Sequence, residues 1–221
     1  MRTIAGTRDL IRAVVQHLER LDGVGMDLVR RKLQEIEFEP NPQQPRLPAA
    51  PGCGWLSECL ELAAAQGLAP VAEAIEHAKP ELAWRAYDAY PPELVGPRFA
   101  NAHAFVELVG PEAPFTAADF ELGLFLIAPW TFYRDHRHKA PELYAALTGP
   151  TRWRFNGGVW LTRQAGEIVW NETMHIHATL VEEHPFLCIY AWTQDVSLPA
   201  EIVPAPDWHE IESDTKRRAV R

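Results

Sequence analysis

The sequence predicts a mainly β fold in the C-terminal half of the chain, preceded by an α-helical extension. From about position 99, short apolar segments alternate with turn residues at a spacing of roughly ten residues, which is typical of a barrel or a sandwich. Before position 90, apolar residues recur instead at helical spacing. We therefore expect a β-barrel domain at residues 96–221 and a helical extension at residues 1–95 that packs on it.

The extension is expected to contain several helices. Apolar periodicity near 3.6 residues predicts helices at 3–21, 26–36, 55–66, 70–78 and 80–90. Residues 39–54 are rich in proline and glycine and are predicted to form an irregular connection. Trp84, Tyr87 and Tyr90 recur every third residue. They are expected either to pack the extension onto the barrel or to bring one ring over the mouth of a pocket.

Strand signals dominate the remainder of the chain. We predict strands at 105–109, 121–133, 170–180 and 186–192, and a hairpin at 153–160 whose turn contains Gly157 and Gly158. The segment 140–147 has helical local propensity, but a strand suits the motif described below. The polar tail from Ile211 is expected to be frayed.

Composition excludes several classes of protein. A formal net charge of −9 argues against general binding of nucleic acid or of an anionic membrane. The odd count of 3 cysteines suggests no disulfide framework and suits a reducing cytoplasm, which is the predicted location. No apolar stretch reaches the roughly 20 residues that would span a bilayer, and charges interrupt the apolar runs at the N-terminus, as they do not in a signal peptide.

The strongest motif surrounds two closely spaced histidines. It has the form Y-x2-H-x-H-x3-E-x-Y followed by a glycine, and comprises Tyr133, His136, His138, Glu142, Tyr144 and Gly149. In an extended chain, residues two apart share a face, so the imidazoles and the carboxylate are in phase, whereas Tyr133 needs a bulge or the family pattern to join them. Two imidazoles and a carboxylate are suitable ligands for Zn, Fe, Mn, Ni or Co, and these residue types alone do not choose among the metals.

A second segment completes the set of ligands. Gly166 precedes His177 by eleven residues, and this register favours His177 over His175 as the last ligand. Together the two segments resemble the paired motifs of the cupin superfamily, in which metal-binding residues lie on a double-stranded β-helix, or jelly roll. The match is partial, because Trp130, Glu172, Met174 and Val181 stand where the cupin motifs have Gly, Pro, Gly and Asn.

The chain resembles more closely the cupin-type dimethylsulfoniopropionate (DMSP) lyases. Both tyrosines of the motif belong to that pattern, as do His177-Ala178 and the later run from Pro185 to Trp192. The resemblance covers about the C-terminal half of the chain. It implies a metal-dependent lyase in which His136, His138, Glu142 and His177 bind one divalent metal.

The resemblance further implies a β-elimination that yields dimethyl sulfide and acrylate. The substrate carboxylate would bind the metal, and Tyr133 or Tyr144 would remove the neighbouring proton as a tyrosinate base. The sulfonium would be held by aromatic rings, with Trp192 the first candidate and Tyr190 and Trp130 among the weaker ones. The alternatives are another cupin metalloenzyme, such as a dioxygenase or an isomerase acting on a different small carboxylate, and a non-catalytic cupin that binds a small ligand. A homodimer is possible.

Overall fold

The protein is mainly β, with helices concentrated in its N-terminal part. The computed structural model describes residues 4–37, 39–41, 50–96 and 98–220. The helices are α1 (Ala5–Leu18), α2 (Met26–Glu35), α3 (Leu56–Ala63), α4 (Ala69–Ala78), α5 (Pro92–Val95), α6 (Phe99–Ala102) and α7 (Trp208–Arg218). The strands are β1 (Glu39–Pro40), β2 (His103–Gly110), β3 (Phe115–Thr116), β4 (Glu121–Ile127), β5 (Thr131–Arg137), β6 (Glu142–Ala146), β7 (Thr151–Phe155), β8 (Leu161–Arg163), β9 (Ile168–Asn171), β10 (His177–Val181), β11 (Phe186–Trp192) and β12 (Glu201–Ile202).

The predicted N-terminal helices are confirmed, except for the last. Helices α1 to α4 match four of the five predicted segments, and a π-helical turn at Ala64–Leu68 ends α3 where Gly67 adopts φ 90°. The prediction of a helix at 80–90 is wrong. A short 3-10 helix covers Lys79–Glu81, and residues 82–91, here called the strap, run extended. Part of the proline-rich connection, residues 42–49, lies outside the described residues.

The strap is extended because neighbouring elements provide hydrogen-bond partners for its backbone. Arg85 exchanges two backbone hydrogen bonds with Phe105 on β2, of 2.9 and 2.8 Å. Next to it, the backbone N–H of Tyr87 donates to Nε2 of His103 over 2.8 Å. Pairing with a sheet thus outweighs a local helical preference, which is a weak determinant of structure.

The strands form two sheets. One has seven strands in the order β1-β3-β2-β4-β11-β6-β9, and the other has five in the order β12-β5-β10-β7-β8. Strands that follow one another along the chain alternate between the sheets from β4 to β7, as in the jelly roll that the sequence predicts. The predicted mainly β cupin fold is confirmed, but the two sheets are not closed into a barrel. Among the described strands, no ladder of hydrogen bonds joins the two sheets, because each sheet keeps its own edge strands.

The seven-stranded sheet packs on a different layer with each face. On β4, Leu122, Leu124 and Leu126 join a core that contains residues of α1 to α4. The alternate residues Phe125 and Ile127 face the second sheet and join a core rich in aromatic rings. This alternation follows from the period of two along a strand, and it leaves the face toward the second sheet available for a site.

Three other predictions have clear outcomes. The predicted strand at 121–133 divides into β4 and β5, with Trp130 in the turn at φ 56°. The segment 140–147 contains strand β6, and the hairpin around Gly157 and Gly158 forms between β7 and β8, so both predictions are confirmed.

Within the described ranges, no helix combines the length and the apolar character needed to cross a bilayer.

The prediction of a frayed tail is wrong. Helix α7 covers most of it and packs on β5. Nε1 of Trp208 at the start of α7 donates to the buried carboxylate of Asp135 on β5 over 2.8 Å. Nε of Arg154 on β7 donates to the same carboxylate over 3.1 Å. Helix α7 forms because this polar cluster holds its first turn, together with the guanidinium of Arg134, which lies 4.6 Å from the centre of the Trp208 ring.

Candidate metal centre and cavity

The five-stranded sheet brings the three predicted histidine ligands together. His177 on β10 pairs directly with His136 on β5, and His138 directly follows β5. One ring nitrogen from each lies within 4.8 Å of the others. The three residues are between 0 and 3% exposed, so they form a buried cluster rather than a surface patch of histidines.

Backbone carbonyls accept a hydrogen bond from Nδ1 of each of the three rings. Nδ1 of His136 donates to the carbonyl of Arg134 over 2.8 Å, and Nδ1 of His177 donates to that of His175 over 2.8 Å. Nδ1 of His138 bonds the carbonyl of Ala140 over 2.6 Å. A carbonyl can only accept, so each Nδ1 carries a proton. The neutral rings of His136 and His177 present a lone pair at Nε2, whereas Nε2 of His138 donates to Oε2 of Glu142.

Glu142 reaches the same point from the opposite sheet. Its Oε2 lies 2.9 Å from Nε2 of His138 and 3.6 Å from Nε2 of His177. Asn171 donates to Oε2 over 3.0 Å, and Nε1 of Trp192 donates to Oε1 over 2.7 Å. The carboxylate is therefore fixed by one neighbour on each side, β9 and β11, and is 2% exposed.

Burial and mutual repulsion set the charges of the cluster. Burial, followed by the charge of His138, lowers the pKa of His136 to about 3. Burial, followed by the charges of His136 and His138, lowers the pKa of His177 well below its ordinary value. Burial also opposes the charge on His138, but the charge and hydrogen bond of Glu142 outweigh it and raise that pKa.

The donor set fits a divalent transition metal. Nε2 of His136 and Nε2 of His177 are buried and have no hydrogen-bond partner among the described residues. A buried polar atom without a partner is costly, whereas a metal ion accepts the lone pairs of all three Nε2 atoms. Imidazoles oriented by carbonyls, together with a carboxylate held by an amide and an indole, match the supporting contacts of metal ligands in proteins.

A bulge in β5 turns Tyr133 toward the cluster. Between the paired positions His177↔His136 and Thr179↔Tyr133, one residue on β10 opposes two on β5. The extra residue brings Tyr133 and His136 to the same face, where their rings stack with centroids 3.9 Å apart. The rings of Tyr133 and Phe99 also stack, at 4.0 Å. The hydroxyl of Tyr133 is hydrogen-bonded to that of Tyr90.

The predicted metal ligands lie beside a cavity of about 710 Å³ between the two sheets and the strap. Of the predicted residues, those that line it are Tyr133, His136, His138, Glu142, Tyr144, Tyr190 and Trp192. His177 lies fully buried behind them. Trp130 is not brought to this cavity. It borders a separate one, because the left-handed turn before β5 directs it to the other side of the sheet.

The predicted tyrosines are neutral phenols in this environment. Burial, followed by the charges of Tyr90 and Tyr144, raises the pKa of Tyr133 well above its ordinary value. Burial, followed by the charge of Glu142, does the same for Tyr144. A phenolate at either position would therefore require a nearby cation.

Sequence reasoning missed part of the cavity wall. The missed residues that line it include Arg85, Phe105, Glu107, Glu121 and Phe125. Of the aromatic repeat at Trp84, Tyr87 and Tyr90, which was expected either to pack the extension or to bring one ring over a pocket, Tyr87 and Tyr90 do reach the cavity. Trp84 is instead buried in the helical core. Asn171, which supports Glu142, had no signal in the local sequence.

Comparison with known proteins identifies a family and several similar proteins. The family model for dimethylsulfoniopropionate lyase matches residues 25–188. A curated relative from Cereibacter sphaeroides, named "Putative dimethylsulfoniopropionate lyase DddL", is 29% identical over 145 residues, which cover 65% of this chain and 59% of the relative. Dimethylsulfoniopropionate lyase DddQ from Ruegeria pomeroyi is 25% identical over 107 residues, covering 48% of this chain and 53% of the relative.

The aligned region thus spans little more than half the length of these curated relatives. Solved structures show the same fold. The crystal structure of DMSP lyase DddQ from Ruegeria pomeroyi superposes with a TM-score of 0.68 at 20% identity, covering 91% of this chain and 98% of that one. A chain from the crystal structures of the DMSP lyases RdDddP and RnDddQII has a TM-score of 0.70 at 19% identity, covering 90% and 98%.

Proposed function

This chain belongs to the dimethylsulfoniopropionate lyase family, and from that premise we propose that it is a metal-dependent lyase that cleaves DMSP. The observation that carries the metal dependence is the convergence of three buried histidines, two of whose Nε2 atoms have no hydrogen-bond partner among the described residues. The substrate is proposed from the family and from a cavity that joins this cluster to aromatic rings.

His136, His138, His177 and Glu142 would hold the metal ion. When bound, a divalent cation supplies a Lewis acid that polarises the substrate carboxylate and lowers the pKa of a neighbouring phenol. Asn171 keeps its hydrogen bond to Glu142, and the carbonyls behind the imidazoles keep each Nε2 directed at one point.

We assign the base to Tyr144 in preference to Tyr133. The hydroxyl of Tyr133 is already bonded to Tyr90, and its ring is held between two other rings. Tyr144 follows Glu142 by two residues on β6 and lines the same cavity. Its phenolate would take the proton from the carbon next to the substrate carboxylate. The C–S bond then breaks with its electron pair on sulfur, so that neutral dimethyl sulfide and acrylate leave.

Headspace detection of dimethyl sulfide from purified, metal-analysed protein tests the proposal. We expect Tyr144→Phe to lower the rate of release by about 10²- to 10⁴-fold, the usual contribution of a general base, while metal content and melting temperature stay unchanged. Tyr133→Phe is the matched variant, and its rate of dimethyl sulfide release should fall less than that of Tyr144→Phe. A metal-loaded wild type that releases no dimethyl sulfide would refute DMSP as the substrate. Full activity of Tyr144→Phe would refute Tyr144 as the base.

A further inference from the structure

One carboxylate in the cavity has no function in the scheme above. Glu121 begins β4 on the strand face that points into the cavity, and it lines the cavity wall. The hydroxyl of Tyr190 donates to its Oε1. Within the described ranges, no lysine, arginine or histidine forms an ion pair with it. By contrast, Glu107 pairs with Arg85, and Glu142 has His138 beside it.

The register of the sheet fixes where Glu121 lies relative to the metal ligands. Trp192 on β11 pairs with Glu121 on one side and with Glu142 on the other. The two carboxylates therefore stand at the same level on one face, two strands apart, which is about 10 Å between their backbones. The cavity has a histidine end and a carboxylate end, with the indole of Trp192 between them.

Close packing between β4 and β11 fixes the position of Glu121. A Cβ on Gly123 would lie 2.6 Å from the ring of Tyr190 and 2.2 Å from the carbonyl oxygen of Val106. Only glycine leaves room for that ring to lie against β4, and in this position the Tyr190 hydroxyl reaches Glu121. Burial is the main influence on Glu121 and raises its pKa, although the hydrogen bond from Tyr190 and the charge of Arg85 oppose the shift.

Charge and aromatic faces at this end favour a cation. Arg85 pairs with Glu107 and lies 3.9 Å from the carboxylate of Glu112, so Glu121, when ionised, adds a negative charge with which no described cation forms an ion pair. Rings of Tyr87, Tyr144 and Tyr190 line the same cavity, and the guanidinium of Arg85 lies over the ring of Phe105. A carboxylate beside π faces is a suitable environment for an onium group that has no hydrogen to donate.

We infer that Glu121, held in place by Tyr190, recognises the cationic group of the substrate and makes the enzyme selective for carboxylates that carry a permanent cation. This inference rests on the proposed function only in taking the histidine end as the place of the substrate carboxylate. Glu121 is a specificity residue: it touches the substrate away from the atoms that exchange the proton.

Calorimetric titration of the metal-loaded protein with two matched ligands tests this. The first is 3-(trimethylammonio)propanoate, and the second is 4,4-dimethylpentanoate, in which a neutral carbon replaces the charged nitrogen at the same shape. For wild type we expect Kd for the cation to be lower by at least about tenfold, as suits one partly desolvated ionic contact. Glu121→Gln, which keeps the acceptor for Tyr190, should reduce this preference to less than about threefold.

Two further variants control for charge and for folding. Asp88→Asn removes one negative charge from an exposed residue at the same cavity and should leave the preference unchanged. Glu121→Asp retains the charge and should preserve part of the preference. Metal content should be equal in all four proteins.

The result that overturns the inference is a wild type that binds both ligands equally or binds neither. A Glu121→Gln protein that keeps the full preference would also overturn it, since recognition would then belong to the rings alone. The dimethyl sulfide assay separates the two proposals. A wild type that releases no dimethyl sulfide, yet whose cation preference disappears in Glu121→Gln, would refute the lyase and leave the cation site standing.

Discussion

The two faces of β4 differ in chemistry along the same seven residues. One face presents Leu122, Leu124 and Leu126 to the N-terminal helices, and each of these side chains is 0% exposed. The other face presents Glu121, Gly123 and Phe125 to the cavity. The face toward the helices has only apolar groups to bury, whereas the cavity face combines charge, a missing side chain and an aromatic ring.

This difference extends across the sheet. On the cavity side, the buried polar atoms without hydrogen-bond partners among the described residues converge on one point, at Nε2 of His136 and of His177, with Oδ1 of Asn171 nearby on β9. On the helix side, the two such atoms are Nε2 of His17 and Nε1 of Trp84. Such atoms lower the stability of the fold. The comparison therefore predicts that substitutions on the cavity side change metal binding and activity, while those on the helix side change stability.

The largest effect is expected from loss of a ligand. His136→Ala removes one of the three converging imidazoles, so metal content should fall and activity should drop by at least about 10³-fold, beyond the 100-fold limit of a supporting contact. Elemental analysis and the dimethyl sulfide assay measure both quantities. Chelation of wild type should reproduce the loss, and added metal should restore wild type alone. A His136→Ala protein that keeps a full complement of metal would contradict the assignment of His136 as a ligand.

A smaller effect is expected on the opposite face. Leu124→Ala empties space between β4 and the helices, and it should lower the free energy of unfolding by about 2–5 kcal/mol. Denaturant titration measures this change, and activity well below the melting transition should equal that of wild type. Leu161→Ala, at a position 38% exposed, is the control and should change stability by less than about 0.5 kcal/mol. If Leu124→Ala lost metal instead, the separation between the faces would fail.

The smallest effect should come from the support of Glu142. Asn171→Ala removes the 3.0 Å hydrogen bond to Oε2, so metal affinity should fall by about 10- to 100-fold. Activity at saturating metal should stay near that of wild type. Competition with a chromogenic chelator measures the affinity. Gln194→Ala removes an exposed amide and serves as the control, and equal affinities for the two variants would show that Asn171 does not position the carboxylate.

Much of the metal site could be predicted because its ligands are close in sequence. A strand places residues two apart on one face, so the spacing of His136 and His138 predicted their common direction, whereas Glu142 joins them from β6 in the opposite sheet. The match to a family pattern added His177 and the strand register of β6. The structure brings His177 into the cluster and forms β6, although local propensity at 140–147 favoured a helix.

The contacts that the sequence did not reveal join residues far apart along the chain. The strap extends because Arg85 pairs with Phe105, and helix α7 is ordered because Trp208 reaches Asp135. Neither contact leaves a periodic signal, and in the strap the helical spacing of the rings was misleading. The two sheets also remain separate, a matter of edge pairing that strand patterns do not encode.

The sequence by itself determined most of the strands and helices, the histidine cluster and the pair of tyrosines, because each depends on a short period or a fixed spacing. Tertiary structure alone decided which face of β5 carries Tyr133, since one bulged residue reverses the alternation. It also decided that Glu121 and Glu142 share a cavity wall, because the register of β4, β11 and β6 is set by packing between strands that lie far apart in the chain.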